Sequence, residues 1–139
     1  MSTCNPIVML VEDDDVDVEL VKRGIDARTL NCDLHSMANG KEALAFLRDS
    51  DLTAERRQNL IVFLDINMPG MNGHQFLSEL RSDAKLRRTI VFMLTTSDHP
   101  RDKAQAYDKN VAGYFVKNNL DGLLDTVAIY SENVEFPPA

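Results

Sequence analysis

Short apolar runs alternate along the chain with longer segments of helical hydrophobic spacing. The runs are rich in β-branched residues, which is typical of strands buried on both faces of a parallel sheet. Four strong runs occupy residues 7–11, 60–64, 89–94 and 113–116, and a weaker strand is predicted at residues 33–37. The pattern therefore predicts five strands, of which the second in the chain is the weakest.

Helices are predicted between and after these strands. In the first of them, Val18, Val21 and Ile25 share one face at helical spacing. The predicted helices cover residues 15–27, 42–48, 74–82, 101–109 and 120–131. Regular alternation of strand and helix predicts the doubly wound α/β class.

The length of the chain allows one hydrophobic core. It has 139 residues, of which 44% are hydrophobic, and a second core would need more chain. We expect a single domain over residues 1–139, with a core at about residues 6–131 and a short tail at residues 132–139. This tail is too short for an attached output module, so we expect any output to act through a partner.

Each strong apolar run ends on residues able to handle metal or phosphate, namely Glu12 and Asp13, Asp65, Thr95, and Lys117. Parallel sheets bind ligands beyond the carboxyl ends of their strands, so the pattern gathers these side chains into one site. The neighbouring carboxylates would repel one another unless a cation lay between them. Oxygen ligands of this kind suit Mg²⁺, which is the cofactor that the sequence predicts.

The site has the groups that phosphoryl transfer requires. Asp65 is the best candidate for a nucleophile that forms an aspartyl phosphate, because it ends its strand alone and leads into a loop rich in Pro and Gly. Asn67 is expected to supply a backbone carbonyl to the metal. Lys117 and Thr95 would offset the charge that spreads over the equatorial phosphoryl oxygens.

Four motifs together resemble the receiver domain of two-component response regulators. They are Val11-Glu-Asp-Asp14, Phe63-Leu-Asp-Ile-Asn-Met-Pro-Gly-Met-Asn-Gly73, Met93-Leu-Thr-Thr-Ser97 and Gly113-Tyr-Phe-Val-Lys117. The resemblance implies a flavodoxin-like receiver fold, with five parallel strands in the order 2-1-3-4-5 and five flanking helices. An extended polar segment at residues 49–59 is similar to that of single-domain receivers which pair with phytochrome-type or hybrid kinases, although a solvated loop without a role explains it equally well.

The resemblance also implies the roles of individual residues. Asp65 would accept a phosphoryl group from a sensor histidine kinase or a phosphotransfer protein, in a reaction that depends on Mg²⁺. Glu12 and Asp13 would form the acidic pair, with Asp13 and Asp65 as metal ligands. Thr95 and Tyr114 would be the switch pair that remodels a protein-binding surface for a downstream target, unless the chain relays the phosphate onward. Weak autophosphatase activity is expected rather than metabolic catalysis, and homodimers occur among similar proteins.

The chain departs from the receiver pattern after Lys117. The family usually has Pro at the next position, often after a cis peptide bond, whereas this chain has Asn118. A cis bond before Asn costs about 3 kcal/mol, so a trans peptide or a reshaped loop is expected. This departure motivates one alternative, a pseudo-receiver that binds partners without phosphate. The other alternative, a haloacid-dehalogenase-like phosphatase, lacks its second Asp, since Asn67 stands two residues after Asp65.

In the acidic run at residues 12–17, Asp13, Asp15 and Asp17 stand at alternate positions, as the ligands of a calcium-binding loop do. The remaining positions of that motif do not match. Val18 stands where the loop needs Gly, and Gly24 stands where it needs a bidentate Glu. Asp14 or Asp15 is instead expected to be the N-cap of the first helix.

Composition limits the partners and the compartment. Acidic residues exceed basic ones by 22 − 15 = 7, which opposes binding to nucleic acid. No apolar stretch approaches the roughly 20 residues that span a bilayer, and the first residues lack a signal core, so no membrane association and a cytoplasmic location are expected. Cys4 and Cys32 have no metal or redox spacing and are expected to be free thiols, while His74 and His99 are expected at the surface.

Overall fold

The computed structural model describes residues 6–49, 59–66, 68, 70–95, 100–117 and 119–132. In these parts of the chain, five strands form one parallel sheet in the order β2-β1-β3-β4-β5. The strands are β1 (Ile7–Val11), β2 (Asp33–Met37), β3 (Leu60–Asp65), β4 (Ile90–Thr95) and β5 (Gly113–Val116). The helices are α1 (Asp15–Ala27), α2 (Gly40–Leu47), α3 (Gly73–Ser82), α4 (Pro100–Asp108) and α5 (Leu120–Glu132). The predicted fold class and strand order are confirmed.

None of the described helices has the length and apolar character that crossing a membrane requires. The polar segment at residues 49–59 falls almost entirely outside the described residues, as do Cys4 and His99.

The sheet separates two hydrophobic clusters, one on each face. Side chains alternate between faces along a strand, and in β1 they divide into Ile7, Met9 and Val11 on one side and Val8 and Leu10 on the other. The first cluster packs against α2, α3 and α4. The second cluster packs against α1 and α5. Because both faces are covered, the central strands are apolar throughout, which explains the continuous runs seen in the sequence.

Polar caps set where three of the helices begin. The side chain of Asp14 accepts a hydrogen bond from the Val16 amide at the start of α1. Asn39 accepts from the Glu42 amide at the start of α2, which therefore begins at Gly40, two residues before the predicted position. At α3, Asn72 forms a reciprocal capping box in which its partner is the third helical residue.

Candidate functional site

Strand register brings the predicted residues to one edge of the sheet. Val11 of β1 pairs with Leu64 of β3, so the residues that follow them, Glu12 and Asp65, lie at the same level. Asp65 in turn pairs with Leu94 of β4, whose next residue is Thr95. Thr95 pairs with Val116, directly before Lys117. Four strands therefore deliver their terminal residues to one place beyond the carboxyl ends.

Three carboxylates lie together at this edge. One oxygen each from Glu12, Asp13 and Asp65 can be chosen so that all lie within 4.8 Å of one another. Glu12 and Asp65 are each only 3% exposed, whereas Asp13 is exposed. Such a set fits a small divalent cation, because buried like charges repel and hard oxygen donors with one open side leave room for water and phosphate.

The electrostatics of Glu12 support the same assignment. The pKa of Glu12 is raised from 4.5 to about 7, chiefly by burial and also by the negative charge of Asp65, while the contact with Lys117 opposes the shift. The Oε2 atom of Glu12 is buried and lies 2.6 Å from Lys117 Nζ, yet it has no hydrogen bond of standard geometry among the described residues. The carboxyl group thus has room for another positive neighbour.

Lys117 lies among carboxylates at the end of β5. Its Nζ is 2.6 Å from Glu12 Oε2, 3.1 Å from Asp17 Oδ2 and 3.5 Å from Asp65 Oδ2, and its side chain is 18% exposed. Burial lowers the pKa of Lys117, but its acidic neighbours more than offset this, so that its pKa is raised and the group stays cationic. The predicted contact between Lys117 and Asp65 is present.

Asp17 is a neighbour of Lys117 that the sequence pattern did not assign to the site. It lies in the first turn of α1, and its carboxylate accepts a hydrogen bond from an ammonium 100 residues away in sequence. One signal was present in the sequence: Asp17 stands in the first turn of the helix predicted directly after the acidic pair Glu12 and Asp13. The start of α1 therefore lies over the same edge of the sheet.

Of the two predicted switch residues, the structure describes Tyr114 fully and Thr95 only by its backbone. Tyr114 of β5 is half-buried and packs against the cluster that includes α2, α3 and α4. Lys103 Nζ of α4 lies 5.7 Å from the centroid of its ring. The backbone of Thr95 ends β4, but its side chain is outside what the structure describes, as are Asn67 and Asn118.

Gly73, the first residue of α3, lies close to the backbone of Asp65 and Ile66. The Gly73 amide donates a hydrogen bond of 2.9 Å to the Ile66 carbonyl. A Cβ added at Gly73 would lie 2.7 Å from the Asp65 carbonyl oxygen and 2.8 Å from Ile66 Cα. Only glycine permits this approach without displacing the backbone that carries Asp65.

The predicted surface position of His74 is wrong. It was expected at the surface, but its side chain is only 12% exposed, and Nε2 lies 3.4 Å from Asp102 Oδ1 on α4. Its position directly after Gly73 draws it inward, because the start of α3 is held against the end of β3. His74 belongs to the contact between α3 and α4 and not to the cluster of carboxylates.

An α/β sheet of this order, with acids after β1, an aspartate ending β3 and a lysine after β5, defines the receiver class of signalling domain. The family of response regulator receiver domains matches residues 8–128, and the chain belongs to this family of two-component signalling proteins.

Individual relatives match at moderate identity. Response regulator Rcp1 of Synechocystis sp. is 32% identical, over 96% of this chain and 94% of Rcp1. The probable methanogenesis regulatory protein FilR2 of Methanothrix harundinacea is 32% identical, over 80% of this chain and 71% of FilR2.

Solved structures agree with the fold. The phosphorylated cyanobacterial phytochrome response regulator RcpA superimposes with a TM-score of 0.79 at 29% identity, covering 96% of this chain and 99% of RcpA. Rcp1 has been solved in a Mn²⁺-bound form, and that structure gives a TM-score of 0.75 at 30% identity, covering 95% of this chain and 99% of Rcp1.

Proposed function

We propose that this protein is a phospho-accepting switch in which Asp65 takes a phosphoryl group from the phosphohistidine of a sensor histidine kinase or a phosphotransfer protein. The observation that carries the proposal is the setting of Asp65. Its carboxylate is buried at the carboxyl edge of the sheet, beside two other acids and 3.5 Å from the Lys117 ammonium. A carboxylate in that setting is a nucleophile with its charge partners in place.

Transfer of the phosphoryl group from the phosphohistidine to Asp65 needs no further reactant. A carboxylate oxygen of Asp65 attacks the phosphorus atom, and a new O–P bond forms as the P–N bond of the donor breaks. The electron pair of the broken bond leaves with the imidazole. Asp65 supplies no proton in this step.

The divalent ion would be Mg²⁺, held by Glu12, Asp13 and Asp65 together with the backbone carbonyl of Asn67. When bound, it would neutralise part of the charge on the acids and on the phosphoryl oxygens. The closeness of the three carboxylates supports this assignment. So does the raised pKa of Glu12, because a buried acid of that kind is stabilised by a second positive neighbour.

Lys117 and Thr95 would complete the phosphoryl site. The Lys117 ammonium would donate to one equatorial oxygen, and the Thr95 hydroxyl would donate to another. The backbone position of Thr95, level with the residue after Asp65, supports its part in this arrangement.

The output would come from Thr95 and Tyr114 as a switch pair. Movement of the Thr95 hydroxyl towards the phosphoryl group would let the Tyr114 ring change position, which remodels the surface formed by α4, β5 and α5. The location of the Tyr114 ring supports this role, since it lies between the hydrophobic cluster and Lys103 of α4. A downstream protein would bind the changed surface, or phosphate would pass onward in a relay.

We further propose that the protein acts as a single-domain receiver in the cytoplasm, with slow autodephosphorylation and no metabolic reaction. The match to Rcp1 and RcpA over nearly the full length of both proteins supports the single-domain organisation. RcpA is described as a phytochrome response regulator, so a phytochrome-type kinase is the first partner to test.

Intact-mass spectrometry after incubation with acetyl phosphate tests the proposal. We expect one added phosphoryl group on the native protein in the presence of Mg²⁺, and none after EDTA treatment. Asp65→Asn should abolish the adduct, whereas Asp26→Asn, which removes an exposed acid on the opposite end of α1, should retain it. Absence of any adduct on the native protein, in samples with intact acetyl phosphate, would contradict the proposal and favour phosphate-independent partner binding.

A further inference from the structure

Asp17 contacts the lysine of the site from a separate element. Its Oδ2 atom lies 3.1 Å from Lys117 Nζ, closer than the 3.5 Å between Nζ and Asp65 Oδ2. Asp17 is outside the cluster formed by Glu12, Asp13 and Asp65 that fits a cation. Its side chain is 33% exposed, unlike the buried carboxylates of Glu12 and Asp65.

The ammonium group has as many donors as it has acidic neighbours. A lysine ammonium carries three N–H donors, and Glu12, Asp17 and Asp65 each place a carboxylate oxygen within 3.5 Å of it. A phosphoryl oxygen that arrives on Asp65 needs one of these donors. The arriving phosphoryl oxygen therefore competes with these carboxylates for the ammonium.

Among the described acidic neighbours of Lys117, Asp17 is the one that lies outside the cation cluster. A bound divalent ion would share the charges of Glu12 and Asp65, which belong to the cation cluster. Asp17, which is not among those ligands, would have its charge offset less by that ion. It therefore continues to attract Lys117 towards α1 and repels the negative phosphoryl oxygens.

We infer that Asp17 is a positioning residue. From the first turn of α1 it holds the Lys117 side chain, and it competes with the phosphoryl group for the Lys117 ammonium. The inference rests on the proposed function and specifies how tightly this chain holds a phosphoryl group. It also links α1 to the phosphorylation state, because the Asp17–Lys117 contact joins the first turn of α1 to the end of β5, and a phosphoryl oxygen would compete for the same ammonium.

Affinity for a phosphoryl mimic provides the main test. Beryllofluoride would be titrated into protein saturated with Mg²⁺ and followed by backbone amide NMR. Asp17→Asn keeps the size of the side chain and removes its charge, so it should bind beryllofluoride about three- to tenfold more tightly than the native protein, the range set by partial solvent screening of the contact. Asp17→Glu restores the charge and should return the affinity towards the native value.

Asp15→Asn is the matched control. Asp15 lies in the same first turn of α1 as Asp17, is exposed, and contributes equally to net charge and to the helix N-terminus. Its loss should leave the beryllofluoride affinity unchanged. An equal gain in Asp15→Asn and Asp17→Asn would show a general charge effect and overturn the inference.

A second readout uses the metal-free protein without any phosphoryl mimic. The ¹⁵N-edited signal of the Lys117 ammonium, assigned with Lys117→Arg, reports whether its protons are held by acceptors. We expect the signal to shift or broaden in Asp17→Asn and to stay in place in Asp15→Asn. An unchanged signal in both variants would overturn the inference.

The two proposals fail in different ways. If the native protein gains no Mg²⁺-dependent phosphoryl group on Asp65, the proposed function fails. If the native protein is phosphorylated but Asp17→Asn, shown to be folded by its thermal transition, binds beryllofluoride with native or lower affinity, only the role of Asp17 fails.

Discussion

At the scale of single residues, the two described glycines that follow Asp65 in the chain, Gly70 and Gly73, are needed for different reasons. Gly70 has a φ of 79°, a left-handed conformation that costs side-chain-bearing residues energy, but a Cβ there would meet no atom within 4 Å. At Gly73 the opposite holds, because a Cβ would collide with the Asp65 carbonyl oxygen. Gly70 is needed for its left-handed backbone conformation, whereas Gly73 is needed for the close approach of two backbone segments.

Alanine at these two positions should separate the two reasons. Gly70→Ala should lower the free energy of unfolding by about 1 kcal/mol and leave phosphorylation of Asp65 intact. Gly73→Ala should cost about 1–3 kcal/mol and also slow phosphorylation, because the added methyl group displaces the backbone of Asp65. Urea unfolding and intact-mass phosphorylation time courses measure both effects. Equal phosphorylation rates in the two variants would contradict the role given to Gly73.

The thiol of Cys32 is half-buried near the start of β2, and its environment makes it unreactive. The pKa of Cys32 is raised from 9.0 to about 11, chiefly by burial and also by the negative charges of Asp33 and Asp26. Because the folded state holds the proton more tightly, the stability that Cys32 contributes is complete below about pH 9 and is lost as pH rises towards 11.

Alkylation kinetics should show the protected thiol. In a Cys4→Ser background at pH 8.5, iodoacetamide should modify Cys32 about ten- to a hundredfold more slowly in the folded protein than in urea, because the thiolate is the reactive form. The rate in the folded protein should keep rising with pH up to about 11. Similar rates in folded and unfolded protein at pH 8.5 would contradict the raised pKa.

At the scale of elements, Arg81 at the end of α3 joins three parts of the chain. Its guanidinium donates to the carbonyl oxygens of Arg87 and Thr89 on the way into β4, both at 2.7 Å. It also donates to the carbonyl oxygens of Lys109 at 2.7 Å and Asn110 at 3.0 Å, between α4 and β5. Burial lowers the pKa of Arg81. The side chain thus fixes the two loops at the amino ends of β4 and β5, at the opposite edge of the sheet from Asp65.

Removal of this contact should destabilise the fold without touching the site. Arg81→Ala leaves several carbonyl groups without their donor and should lower the free energy of unfolding by about 2–4 kcal/mol. Arg81→Lys should recover only part of this, because a single ammonium cannot reach both loops as the planar guanidinium does. Arg88→Ala, at an exposed arginine of the same loop, is the matched control and should change stability by less than about 0.5 kcal/mol. A similar urea midpoint for Arg81→Ala and Arg88→Ala would contradict this structural role.

At the scale of the whole molecule, the acidic cluster at one edge of the sheet should couple the stability of the fold to cation binding. The chain has a net charge of −7, and three of its acids are gathered at one edge of the sheet. A ligand that binds the folded state alone stabilises it by an amount that grows with its concentration. The unfolded chain cannot hold the three carboxylates together, so Mg²⁺ should bind the folded state selectively.

Thermal unfolding should therefore depend on Mg²⁺. At a Mg²⁺ concentration about 100 times its dissociation constant, the folded state gains about 2.7 kcal/mol, which should raise Tm by roughly 10 °C for a chain of this size. Asp13→Asn removes the exposed acid of the cluster and should abolish most of this rise. Calorimetry with NaCl at matched ionic strength is the control for screening. The same rise in Asp13→Asn as in the native protein would contradict the metal site.

The sequence by itself determined the order and type of the elements, because their signals are local. β-branched runs mark strands that are covered on both faces, and Asp14, Asn39 and Asn72 cap the helices that follow them. The candidate site was predictable for a related reason. In a parallel sheet, residues that follow the strands meet at one edge whatever the details of packing, so the amino-acid pattern alone was enough to group Glu12 with Asp65.

Only the tertiary structure decided which side chains meet across the elements. Asp17 and Lys117 are 100 residues apart, and their contact depends on how α1 lies on the sheet, which hydrophobic spacing alone does not fix. The inward position of His74 and the four carbonyl partners of Arg81 have the same origin. Local patterns specify a residue's own backbone and the face it occupies, whereas its distant partners follow from the packing of the whole chain.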